Sequence, residues 1–178
     1  MSHIHTKPGQ HDQTASAFIV RTDFDEPKVM IHMHKKLGML IQFGGHVELH
    51  ETPWQAVTHE LREESGYEMH QLKLLQPKDR IKTSSSVIFH PYPLSHQTHK
   101  FGDLDHYHTD ICYGFVASEP PHNPPADGES NDIRLLTKKE LLELTAAQIP
   151  ENVKANFLFV LDHCLYNWER VPAQQFDN

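Results

Sequence analysis

A chain of 178 residues with 38% apolar and 22% charged side chains has the size and balance of one globular domain with a full hydrophobic core. Its net charge of −8 counts against a nucleic-acid polymer as partner, but leaves small phosphate compounds open where a divalent cation supplies the positive charge. No apolar run nears the roughly 20 residues that span a bilayer, "MSHIHTKPGQHDQ" is no secretion signal, and two distant cysteines, Cys112 and Cys164, build neither disulfide framework nor thiolate zinc site; the expectation is a cytoplasmic protein with no membrane partner.

In chain order, residues 1–12 read as a flexible N-terminal segment, 13–171 as a single domain and 172–178 as a tail. "TASAFIVR" (Thr14 to Arg21) and "KVMIHMHK" (Lys28 to Lys35) read as strands joined through the turn-prone "DFDEP". "LIQF" reads as a short strand that ends in a turn at Gly44 and Gly45. "TPWQAVTHELREESG" carries complete helix punctuation: Thr52 as N-cap, Pro53 at the first helical position, Gln55 closing a capping box and Gly66 as a left-handed stop. "MHQLKLL" and the proline-interrupted "SSVIFHPYPL" read as strands, the latter at an edge. "HYHTDICYGFVA" reads as a long, largely buried strand, followed by the loop "SEPPHNPPADGESND" and a short helix, "TKKELLEL". The last helix, "ENVKANFLFVLDHCLYNWE", sets Val153, Phe157, Val160, Leu161 and Leu165 on one apolar stripe. This order predicts an α/β fold with a mixed β-sheet and helices on both faces.

Sixteen histidines, grouped at His32/His34, His96/His99 and His106/His108, read first as a histidine-rich surface. A histidine-lined metal or phosphate pocket is the competing reading, without an HExxH spacing to support it.

The capped helix carries the chemistry. At about 100° per residue, Trp54, Val57, Leu61 and Ser65 form the stripe that packs down, and Glu60, Glu63 and Glu64 fill an adjoining arc. Carboxylates crowded beside a core repel one another strongly in its lower dielectric. A hard dication resolves that repulsion: Mg2+ takes carboxylate oxygens and leaves positions for water and substrate phosphates. Gly44 and Gly45, without side chains, let backbone groups approach the same ion.

The full spacing closely resembles the Nudix box: a glycine, five residues, a glutamate, seven residues, then Arg-Glu-apolar-x-Glu-Glu-x-Gly-apolar. Here Gly45, Glu51 and "HELREESGY" fill it, with His59 in place of the arginine and Tyr67 at the last apolar position. The resemblance implies the MutT-like α/β/α sandwich and hydrolysis of a nucleoside diphosphate linked to another group. It implies Mg2+, with Mn2+ as a substitute, on Glu60, Glu63, Glu64 and the Gly44 carbonyl. It casts Glu129, on the loop six residues before Leu135, as general base, with Glu63 as rival. Gly45, Glu51, His59 and Gly66 become supports of the site, His59 pairing with Glu51 as the arginine does in relatives. A small-molecule nucleotide is then the partner, and a homodimer is open.

Two other classes stay in view. One is a domain of the same build that binds a nucleotide or metabolite as a sensor without cleaving it. The other is isomerisation of isopentenyl diphosphate, which in those relatives uses a cysteine beside a modified box; neither Cys112 nor Cys164 lies there. For the substrate, Tyr92, Phe101, Tyr107 and Tyr113 are candidate base-stacking residues, and Lys78, Arg80, Lys82 and Lys100 candidate phosphate partners.

Overall fold

The computed structural model describes residues 7–81, 87, 89–100 and 106–176. Strand β1 (His11–Arg21) runs through the centre of the sheet and pairs in parallel along its whole length with β7 (Tyr107–Ala117). Its other edge is shared. The first half, Thr14 to Ala17, pairs with β4 (Phe43–His46), and Ile19 to Arg21 pair with β2 (Lys28–His34). The outer edge of β7 divides the same way, between β6 (Ser95–Lys100) and β5 (Leu72–Gln76). β3 (Met39–Ile41) and β8 (Ile133–Thr137) pair with β2, and β9 (Glu169–Pro172) with β5. All of these except β1–β7 are antiparallel, so the sheet is mixed, and it forks at both edges of its central pair.

Alternation along β1 explains the layers. Ala15, Ala17 and Ile19 face the cluster that holds Trp54 and Val57 of α1 (Pro53–Glu60) and Leu61 directly after it. Phe18 and Val20 face the cluster under α3 (Glu151–Phe159) and the π-helical turn that extends it, Val160–Cys164. Phe18 meets Phe157 edge to face at 4.8 Å, and a buried side chain of that kind contributes roughly 1.5–3 kcal/mol. The predicted stripe of Val153, Phe157, Val160, Leu161 and Leu165 is buried throughout. Further along that face the strand turns polar, at Asp12, Thr14 and Ser16, yet these are buried too. The sheet between α1 and α3 is thus apolar toward one end and polar toward the other.

Helix α1 starts as its punctuation requires. The Thr52 hydroxyl accepts from the Gln55 N–H, and the Gln55 carboxamide accepts from the Thr52 N–H at 2.9 Å. From Leu61 to Ser65 it widens into a π-helical turn, and it stops at Gly66 with φ 75°.

Several boundaries differ from expectation. Gly44 and Gly45 lie within β4 rather than in a turn, because both pair with β1. The sheet takes His11 and Asp12 out of the segment expected to be flexible. "MHQ" (Met69–Gln71) forms a 3-10 turn before β5. Ser85, Ser86 and Ile88 of the expected "SSVIFHPYPL" strand lie outside the described residues; the described remainder is not extended pairing, and the edge strand begins at Ser95. The tail past Pro172 is folded: Ala173–Phe176 forms a 3-10 turn, with Ala173 buried and Phe176 packed 5.6 Å from Trp54. β8 turns into α2 (Lys138–Glu143) through a second capping box at Thr137 and Glu140. The histidines are not merely a surface coat, for His32, His106 and His108 are buried.

Candidate active site

The fork between β4 and β2, the end of α1 and the proline-rich loop enclose a cavity of about 520 Å³. Glu60, Glu63, Glu64 and Glu129 all line it, together with Gly44, Gly45, His32 and His34. The helix brings the first three and the loop brings the fourth. The Ala126 N–H donates to the Glu63 carbonyl at 2.7 Å and the Asn123 N–H to the Gly66 carbonyl at 3.3 Å, so the loop is pinned to the end of the helix. On the far side, Lys35 Nζ donates to the Gly128 carbonyl at 2.6 Å, next to Glu129.

Both glycines that frame the helix are required by space as well as by torsion. Gly66 is left-handed, and a Cβ there would overlap the Asn123 carbonyl. Gly44 has φ 137°, and a Cβ would overlap the Ala15 carbonyl. The bare Gly44 backbone lets its N–H donate to Glu64 Oε2 at 2.8 Å, tying β4 to the π-helical turn.

The carboxyl groups are in three different environments. Glu63 is exposed to the cavity, whereas Glu60 and Glu64 are buried. Burial pushes the Glu64 carboxyl up to about 9; the Gly44 N–H offsets part of this, and the charges of Glu60, Glu129 and Glu63 add to it. Burial likewise pushes Glu60 up to about 7, His59 opposing and Glu63 and Glu129 reinforcing. Glu60 Oε1 has no hydrogen-bond partner among the described residues.

His59 is where the sequence pattern departs, and the structure shows what it touches. Its Nδ1 lies 2.8 Å from Glu51 Oε1. A carboxylate can only accept, so Nδ1 carries the proton in this pair. Its Nε2 lies 3.5 Å from Glu60 Oε1. Glu51 Oε2 also accepts from the Glu48 N–H at 3.3 Å, which holds the turn before the helix. Arg62 turns away to Glu68, at 3.2 Å.

Of the cavity's residues, His32 belongs to a histidine group picked out in the sequence and Lys100 to its phosphate candidates, whereas Asp110, Lys35 and Lys36 escaped sequence reasoning. His32 packs 4.9 Å from Phe43 and its Nε2 lies 4.0 Å from Glu64 Oε1; burial holds it neutral, down to about 4. Asp110 accepts from Thr14 at 3.0 Å and from Ser16 at 2.9 Å across the parallel pair. The available signal was the polar alternation Asp12, Thr14, Ser16 inside an otherwise apolar strand. Lys35 and Lys36 line the cavity, as does Lys100; Lys78 does not, and Arg80 is committed to Glu169 and the Pro77 carbonyl. Tyr92, Tyr107 and Tyr113 do not line it either, Tyr113 being buried against Trp54. Phe101 and Lys82 lie outside the described residues. Cys112 and Cys164 are buried, and burial raises both thiols, Cys164 to about 12, which keeps them protonated.

The donor set suits a hard dication. Four glutamates share one cavity, two of them buried and one with an oxygen that has no hydrogen-bond partner among the described residues, and positive charge would return the buried pair to the ionised form.

Comparison with known proteins agrees with this geometry. The NUDIX domain family matches residues 12–157. A NUDIX-family hydrolase from Clostridium perfringens is similar at 26% identity over 85% of this chain and 96% of its own, with a TM-score of 0.67. A C. elegans Ap4A hydrolase in a binary complex superposes at TM-score 0.61, with 15% identity over 85% of this chain and 98% of its own. The NUDIX domain of Shewanella oneidensis NrtR, complexed with ADP ribose, superposes at 0.60 with 13% identity over 85% of this chain and 86% of its own. At these last two identities the likeness is one of fold. No curated protein sequence matches the chain.

Proposed function

The chain belongs to the Nudix hydrolase (pyrophosphohydrolase) family, and we propose that it cleaves a phosphoanhydride bond in a nucleoside di- or triphosphate derivative with Mg2+. Carrying this reading is the convergence of Glu60, Glu63, Glu64 and Glu129 on one cavity, with Glu60 Oε1 buried and lacking a hydrogen-bond partner among the described residues. Glu60, Glu63 and Glu64, with the Gly44 carbonyl, would hold Mg2+, or Mn2+ in its place. A dication held there supplies charge for the phosphate oxygens and the leaving group, and a bound water of lowered pKa.

The chain's own residues do the rest. Glu129 accepts the proton of the attacking water as general base, and Glu63 is its rival. Supporting Glu129 are its place on the cavity wall and the reach of its charge to Glu60 and Glu64. Lys35 and Lys36 meet the substrate's phosphates at the cavity edge. Gly45, Glu51, His59 and Gly66 hold the helix and loop, so that positioning contributes much of the rate.

A panel of nucleoside triphosphates, oxidised nucleotides, nucleotide sugars, ADP-ribose and dinucleoside polyphosphates, incubated with Mg2+ or Mn2+, tests this. Release of phosphate, pyrophosphate or a mononucleotide from at least one is expected. Tight binding of a nucleotide with no product from any would instead favour a sensor. The NrtR domain complexed with ADP ribose is the reason ADP-ribose is in the panel.

A further inference from the structure

We infer that Asp12, His46 and His108 form a second metal site, separate from the glutamates of the helix, that takes a zinc-class dication through two imidazole nitrogens and one carboxylate oxygen. The three residues come from three neighbouring strands, β1, β4 and β7. Asp12 is directly opposite His108 in the parallel pair, and His46 is opposite Thr14, two positions along β1 on the same face. One ligand atom from each lies within 4.8 Å of the other two. His46 Nε2 and Asp12 Oδ2 are 3.6 Å apart, and the His46 and His108 rings meet edge to face at 5.0 Å.

These separations suit one ion. Bonds of about 2.0–2.2 Å in a tetrahedral arrangement put the ligand atoms about 3.3–3.5 Å from each other. The His46–Asp12 pair is already near that value, and the ligand atom of His108 lies within 4.8 Å of both. Asp12 is 1% exposed and His108 7%, so the ligands are held by the sheet rather than by solvent-facing side chains. Sheet strands fix ligand positions more firmly than loops do.

Donor chemistry separates this site from the first. Glu60, Glu63 and Glu64 offer only oxygen, which suits Mg2+, whereas two imidazoles select a borderline metal such as Zn2+ or Co2+. Three protein ligands on a four-coordinate ion leave one position open, the pattern of a reactive rather than a purely structural zinc site. His46 and His108 also line the cavity shared with the glutamates, so an anionic group of a ligand in that cavity has access to the open position.

The test uses untagged full-length protein. It is loaded with excess Zn2+ and desalted, and its zinc is counted by elemental analysis and examined by X-ray absorption. One equivalent retained, with two imidazole nitrogens in its coordination shell, is expected. The Glu60→Gln/Glu63→Gln protein should retain the same equivalent, which distinguishes this site from the proposed catalytic one. His46→Ala and His108→Ala should each weaken zinc binding at least about tenfold, with the far-ultraviolet spectrum checking that they fold. Loss of zinc on desalting, equal retention by both variants, or fewer than two imidazoles around zinc in the unmodified protein would overturn the site; the last measurement needs no variant.

Discussion

Glu129 and Glu63 offer a direct contest for the general base. Both line the cavity, but Glu63 belongs to the helix cluster and Glu129 to the loop. If Glu129 takes the proton, Glu129→Gln lowers kcat by about 10²–10⁴ with KM little changed, and Mg2+ binding measured by calorimetry stays. Glu63→Gln should weaken Mg2+ binding as well as rate. The reverse pattern would move the base to Glu63. His59 calls for a different measurement. It meets Glu51 at 2.8 Å where the box has arginine, whose planar fork can hold a carboxylate through two bonds. His59→Ala is therefore expected to lower kcat, and His59→Arg to keep it at or above the native value. Equal kcat for His59→Ala and the native protein would refute an orienting role for the pair. Both partners were readable from the box spacing; the second contact, Nε2 at 3.5 Å from Glu60, was not, because it depends on the rotation of a ring.

Among the elements, α1 and the proline-rich loop behave as one unit. Two backbone hydrogen bonds join them, from Ala126 to Glu63 and from Asn123 to Gly66. Gly66→Ala adds a Cβ that overlaps the Asn123 carbonyl at a left-handed position, so the loop must shift. The expected result is a loss of about 1–3 kcal/mol in stability by denaturant unfolding, with a fall in kcat as Glu129 leaves the site. A variant with unchanged kcat would show that the loop does not position the chemistry. The helix start, its glycine stop and the two apolar stripes were legible because each follows from short-range rules of capping and periodicity. Strands β8 and β9 and the C-terminal 3-10 turn were not. Each is short, and it is pairing with β2 or β5, or packing on Trp54, that selects its conformation.

At the level of the whole molecule, stability and metal binding are linked through protons. Glu60 and Glu64 have carboxyl groups raised to about 7 and about 9, above the ordinary carboxylate range near 4.3. Between those limits the folded protein binds more protons than the unfolded chain, so metal-free stability falls as pH rises from about 5 to 9. Mg2+ should restore it increasingly over the same range. In thermal scans with and without Mg2+, the gap in Tm should widen with pH, each kcal/mol recovered appearing as roughly 2–4 °C. A gap that is absent, or constant with pH, would mean that these carboxylates do not share an ion. Among the described residues no helix is long and apolar enough to cross a membrane. Read alone, the chain settled its family and its mixed α/β layering, and it grouped the glutamates of the capped helix on one arc, because box spacing and hydrophobic period are local. The buried histidines and the placing of Glu129 on the cavity wall came only with the folded sheet. They depend on the parallel register of β1 with β7 and on the docking of a loop some sixty residues downstream of the helix, contacts between distant segments that no local pattern encodes.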